Sequence, residues 1–81
     1  MSKASKIYVL NGPNLNLLGD REPDIYGNVS LKDIEKSIIS YGKENNSEIY
    51  FTQSNHEGEL IEFIHEASKK ANAIIINPAG Y

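Results

Sequence analysis

Arg21 and Tyr26 stand five positions apart within residues 11–29, a segment that also carries Asn14 and Asn16. An ordinary phenol, with a pKa of about 10, is a poor base at neutral pH, but a guanidinium within a few ångströms favours the phenolate. Such a pair could remove a proton from a carbon next to a carbonyl. Spacing alone also allows the commoner arrangement, a tyrosine packed on the loop beside a solvated arginine. The amides of Asn14 and Asn16 both donate and accept, which suits an oxygen-rich small molecule or an ordered water. Two more polar clusters follow, Gln53-Ser54-Asn55-His56-Glu57 and Asn77-Pro78-Ala79-Gly80-Tyr81. Polar loops of this kind also serve as helix caps, a reading that fits the middle cluster as well as a ligand site does. His56 is either a neighbour of that cap or a ligand, and His65 reads as a boundary residue of a helix. The run Asn11-Gly12-Pro13-Asn14 lacks the glycine spacing and the lysine of phosphate-binding loops, so nucleotide binding is weakly supported.

The clusters follow three strand-like runs. Lys6–Leu10 is β-branched and aromatic and stops at Asn11-Gly12-Pro13; Ile49–Thr52 and Ala73–Ile76 are the other two. Between them Leu31, Ile34, Ile38 and Tyr41 recur at helical spacing, with Ser30 placed to cap and Asp33 near the positive end of the dipole. Gly42 and Asn45-Asn46 should end this helix. A second helix puts Leu60, Ile61, Ile64, Ala67 and Ala71 on one face, with Glu59, Glu62, Glu66 and Lys69 mostly on a solvated one. Ser54 and Glu57 have capping-box spacing, although Asn55 could cap instead. The order βαβαβ with apolar strands predicts a parallel sheet. Right-handed crossovers allow strand order 1-2-3 or 2-1-3, and we favour 2-1-3, with the helices on opposite faces. That order opens the loops after Leu10 and Ile76 side by side at the carboxyl ends, where α/β ligand sites form. Residues 11–29 show no secondary-structure pattern, and a connection this long reads as a functional lid.

The composition bounds the rest. The chain has 81 residues, a net charge of −3 and no cysteine. It is read as a single domain over residues 1–81. A domain this small buries only about 60–65% of the surface its unfolded chain exposes, so assembly or further chain becomes a live question. Two histidines and no cysteine give no structural zinc spacing. The longest basic run is Lys69-Lys70, which argues against a nucleic-acid partner. No apolar run approaches a membrane span, and no apolar stretch suits a signal peptide, so a cytoplasmic location is expected. Seven of the eight basic residues are lysines. Arg21 is the exception.

Taken together these residues resemble the type II 3-dehydroquinate dehydratases. Asn11-Gly12-Pro13-Asn14-Leu15-Asn16-Leu17-Leu18-Gly19 with Arg21-Glu22-Pro23 and Tyr26-Gly27 is similar to the first block of that family. Gln53-Ser54-Asn55-His56-Glu57-Gly58 with Leu60-Ile61 and Ile64-His65 is similar to the second, and Ile75-Ile76-Asn77-Pro78-Ala79-Gly80-Tyr81 to the start of the third. The resemblance implies a flavodoxin-like, three-layer αβα fold, here as its βαβαβ half. It implies a cofactor-free and metal-free anti elimination of water from 3-dehydroquinate, giving 3-dehydroshikimate in the shikimate pathway. Tyr26 would be the proton acceptor, and Arg21 would stabilise the tyrosinate and the developing negative charge. Asn14 would help hold the water at the enolate oxygen, and Asn77 would bind substrate hydroxyls. Full-length members of the family assemble as dodecamers.

The chain also departs from the family pattern. There the third motif continues into Thr-His-Thr-Ser, and a later histidine protonates the leaving hydroxyl, over roughly sixty more residues of an ordinary-sized domain. No residue here matches them, and His56 and His65 sit in other motifs. The expectation is therefore an N-terminal half that carries the base without the acid and is inactive alone. In that half the edge Ala73–Ile76 would stay unpaired and prone to aggregate. A binding module of flavodoxin-like fold, for a small molecule or nucleotide and without chemistry, is the competing expectation.

Overall fold

The computed structural model describes residues 4–19 and 29–81, so Arg21 and Tyr26 lie outside the described residues. Three strands, β1 (Ser5–Asn11), β2 (Ser47–Gln53) and β3 (Ala73–Asn77), alternate with two helices, α1 (Leu31–Glu44) and α2 (Glu57–Lys70). The strands are parallel in the expected order β2-β1-β3. In the register Ile7 lies beside Ile49 and Ala73, and Leu10 beside Thr52 and Ile76.

Side chains alternate across a strand, so each β1 residue commits its register partners to one face. Tyr8 and Leu10 face α2 and form the core with Leu60 and Ala67, against which Phe63 and Ala71 pack. The opposite face carries Ile7, Val9, Ile49 and Phe51, and α1 packs there on β2. The closest approach is at Gly42, where a Cβ would lie 2.6 Å from Ile49 Cγ1. Thus Gly42 sits buried inside the last turn and admits β2, whereas it was expected to end the helix. The chain reverses after the C-cap Asn45, at Asn46, whose φ of 54° is left-handed.

The α1 start behaves as its sequence suggests. Ser30 Oγ accepts from the Asp33 N–H and the Ser30 N–H donates to Asp33 Oδ2, both at 3.1 Å. The Ser30 N–H bond to the charged carboxylate, with the Ser30 hydroxyl beside it, holds the Asp33 pKa below its ordinary value. The α2 start differs. His56 is the N-cap, so Glu57 is the first helical residue and too early to close a box with Ser54. Ser54 instead accepts a 2.9 Å bond from the His56 N–H, while Asn55 is engaged elsewhere.

The buried stripe of α2 keeps Leu60, Ala67 and Ala71 of the expected one and adds Phe63 in place of Ile61 and Ile64. Leu60, Phe63 and Ala67 turn inward, while Ile61 is 46% exposed and Ile64 36%. Glu66, expected on the solvated face, accepts a 2.6 Å bond from the Tyr8 hydroxyl. That bond is the largest reason the Tyr8 pKa is pushed up to about 12, with burial and neighbouring negative charge adding to it. Tyr8 also packs on Tyr50, ring centroids 4.6 Å apart. On α1 the outermost member of the expected stripe, Tyr41, is 69% exposed.

Candidate active site

All three strands run the same way, so three loops meet at their carboxyl ends. The first leaves β1 through Gly12, whose N–H donates to the Asn77 carbonyl at 2.8 Å. A Cβ on Gly12 would lie 2.7 Å from the Pro78 carbonyl carbon and nearer still to its oxygen. Both neighbours are backbone, so only glycine lets the first and third loops close on each other. Beyond Gly12 the chain forms a 3-10 turn, Leu15–Leu17, where the sequence predicted no secondary structure. Asn14 leads into it with a φ of 65°, in the left-handed region that asparagine tolerates.

Amides tie the loops together. The Asn14 N–H donates to Asn55 Oδ1 at 2.9 Å. Gln53 Nε2 spreads its hydrogens over the Gly12 carbonyl at 3.1 Å, Asn16 Oδ1 at 3.3 Å and Asn55 Oδ1 at 3.0 Å. The third loop closes with an Asn77 side-chain oxygen accepting from the Ala79 N–H at 3.2 Å, and with the Tyr81 hydroxyl donating to the Asn55 carbonyl.

Between the first and third loops lies a cleft of about 300 Å³, lined by Pro13, Asn14, Leu15, Leu17, Leu18, Ala79 and Gly80. Asn14 is exposed at its wall, and the register pairs Asn77 with Asn11 at the end of the sheet. Of the four residues expected to carry chemistry, then, Asn14 and Asn77 are brought to one end of the fold. Arg21 and Tyr26 lie outside the described residues. His65 is exposed on α2 and takes no part in the cleft lining, and His56 serves as a helix cap. Gln53 and Asn55 were read only as members of a cluster that could cap a helix or line a ligand site, and the structure gives them the bonds that join the loops. The available signal was position: an amide as the last residue of a strand faces the neighbouring loop. Among the described residues, no group of three or more His, Cys, Asp or Glu could hold a metal ion.

A parallel βαβαβ sheet whose amide-rich loops converge beside a cleft defines an α/β protein with a candidate small-molecule site at the carboxyl ends of its strands. Comparison with known proteins makes the assignment particular. The profile of the family described as dehydroquinase class II matches residues 5–81. The chain belongs to the class II dehydroquinase family. It is 60% identical over 75 residues to the 3-dehydroquinate dehydratase of Phenylobacterium zucineum, covering 93% of this chain and 52% of that one. It is 57% identical over 75 residues to the catabolic 3-dehydroquinase of Talaromyces marneffei, covering 93% and 43%. The crystal structure of the type II dehydroquinase from Butyrivibrio crossotus superposes with a TM-score of 0.91 at 47% identity, covering 96% of this chain and 55% of that one. The chain therefore spans about half the length of the curated relatives it matches.

Proposed function

We propose that this chain supplies the base side of a 3-dehydroquinate dehydratase site, as one domain over residues 1–81 with residues 11–29 as its lid. The observation that carries the reading is the cleft at the carboxyl ends of β1 and β3, with Asn14 on its wall, in a chain of this family. Tyr26, as tyrosinate, takes the proton alpha to the ketone of 3-dehydroquinate. Arg21 favours the tyrosinate and offsets negative charge as the enolate forms. Asn14 holds a water against the enolate oxygen, and Asn77 binds substrate hydroxyls. The enolate then expels the beta hydroxyl, which leaves as water once protonated, giving 3-dehydroshikimate. Loss of water changes no overall oxidation state, so the step calls for no redox cofactor. None of the 81 residues is assigned as the acid, and the chain alone is expected to turn over no substrate. The wider reading is a cytoplasmic shikimate-pathway enzyme that assembles as a homo-dodecamer, without a nucleic-acid or membrane partner. Among the described residues no helix is long and apolar enough to cross a membrane.

The test joins residues 1–81 to the remaining half of the Phenylobacterium zucineum relative and follows enone absorbance. The chimaera should turn over 3-dehydroquinate, and Tyr26→Phe should lower kcat by at least ~100-fold, the usual scale of general-base catalysis, with KM little changed. A folded chimaera without turnover refutes the reading. Unchanged turnover in Tyr26→Phe would remove Tyr26 as the base.

A further inference from the structure

The cleft lies between the first and third loops, and Asn55, on the middle loop, bonds to both. Asn55 accepts the Asn14 N–H and a Gln53 hydrogen on its side-chain oxygen, and its main-chain oxygen accepts the Tyr81 hydroxyl. Gln53 in turn reaches the Gly12 carbonyl and Asn16. We propose that Asn55, oriented by Gln53, is a positioning residue that fixes Asn14 in its left-handed conformation and so presents the Asn14 amide to the cleft. The role given to the Asn14 side chain rests on the dehydratase reading above; the positioning of its backbone does not.

The physical case begins with Asn14 itself. A non-glycine residue at a φ of 65° stays there only when its surroundings hold it. Its carbonyl accepts the Leu17 N–H at 3.0 Å, a bond internal to the 3-10 turn. Its N–H is held from outside that turn, by Asn55. The Asn55 oxygen that does this cannot rotate away without also losing Gln53, and Gln53 cannot turn without releasing the Gly12 carbonyl. Amide flips are therefore coupled across the group. Asn55 with its oxygen turned the other way would set an NH2 group against two N–H donors.

Only the acceptor of Asn55 is used by its side chain, so Asn55→Asp preserves both bonds and Asn55→Ala removes them. Gln53→Glu keeps the shape of Gln53 and removes its donors. The first measurement is amide hydrogen exchange of Asn14 in the 81-residue chain, read against Leu10 at the centre of the sheet. Asn55→Ala and Gln53→Glu should speed Asn14 exchange by about tenfold relative to Leu10, the factor expected for one lost hydrogen bond, and Asn55→Asp should keep it slow. The second measurement is kinetics of the same variants in the chimaera, which gives a readout if a variant of the shorter chain loses its fold. There Asn55→Ala should lower kcat by about tenfold more than it raises KM, and Asn55→Asp should restore most of the loss. Unchanged Asn14 exchange in both Asn55→Ala and Gln53→Glu overturns the proposal. Exchange, or kcat, as impaired in Asn55→Asp as in Asn55→Ala overturns it too. Expected exchange results in a chimaera without turnover would support the positioning and remove only the dehydratase reading.

Discussion

Tyr8 places its hydroxyl against Glu66 on a face otherwise closed by Leu10, Leu60 and Ala67. A carboxylate accepting from a phenol favours the phenol's neutral form, which raises its pKa to about 12 from an unfolded value of about 10. The contribution to stability is thus complete below pH 10 and is lost as pH rises through 12. A tyrosinate absorbance titration should show a step near pH 12 that Tyr8→Phe removes. The variant should also lose less stability than the parent between pH 10 and 12. Amplitude lost in Tyr8→Phe near pH 10 instead of near pH 12 would contradict the pairing with Glu66. Composition gave no hint of this bond. Glu66 lies among other acids on a helix, and its inward neighbour is known only once β1 is known to lie under α2.

At the scale of elements, packing overrides propensity at Gly42. Alanine is the better helix former by about 1 kcal/mol. Yet its Cβ would meet Ile49 Cγ1 at 2.6 Å and the Ser47 carbonyl oxygen at 3.1 Å, and neither is the free end of a side chain. Gly42→Ala should therefore destabilise the chain by about 1–3 kcal/mol, read as a lower urea midpoint. A higher midpoint would mean that α1 can lift from β2 at little cost. The same competition explains what the sequence disclosed. The strands and the Ser30 cap were legible because each follows from local type and period, and the order 2-1-3 was one of two that right-handed crossovers allow. Whether Phe63 or Ile61 and Ile64 join Leu60, Ala67 and Ala71 on the buried face was not legible, since both sets repeat at helical spacing and the sheet face decides. The 3-10 turn at Leu15–Leu17 was hidden for a related reason: a three-residue turn has no period to detect. Asn14 could be nominated by type and Asn77 by the family resemblance, but the Asn55 bond that joins Asn14 to another loop has a partner 41 positions away.

For the molecule as a whole, β3 matters most. Ile74, Ile75 and Ile76 are 40%, 57% and 43% exposed, and among the described residues no strand pairs with the outer side of β3. An apolar strand edge without charge is a template for pairing with another chain. The 81-residue chain should therefore self-associate as its concentration rises, and Ile75→Lys should suppress this in light scattering. Ile75 is the variant to use because it shares a face with Val9 in the register and lies outside the core of Tyr8, Leu10, Leu60 and Ala67. A parent chain that stays monomeric and cooperatively folded at high concentration would refute the prediction.

The central place of β1 bears on the time course of synthesis. Of the three strands described, the one with two neighbours leaves the ribosome before both of them. Lys6 and Asn72, which exchange bonds at the start of β3, are 66 positions apart. β1 must therefore wait, apolar and unpaired, while α1 and later α2 emerge. Sheet closure depends on distant pairings, which fold slowly and leave such a strand open to chaperones and to other nascent chains.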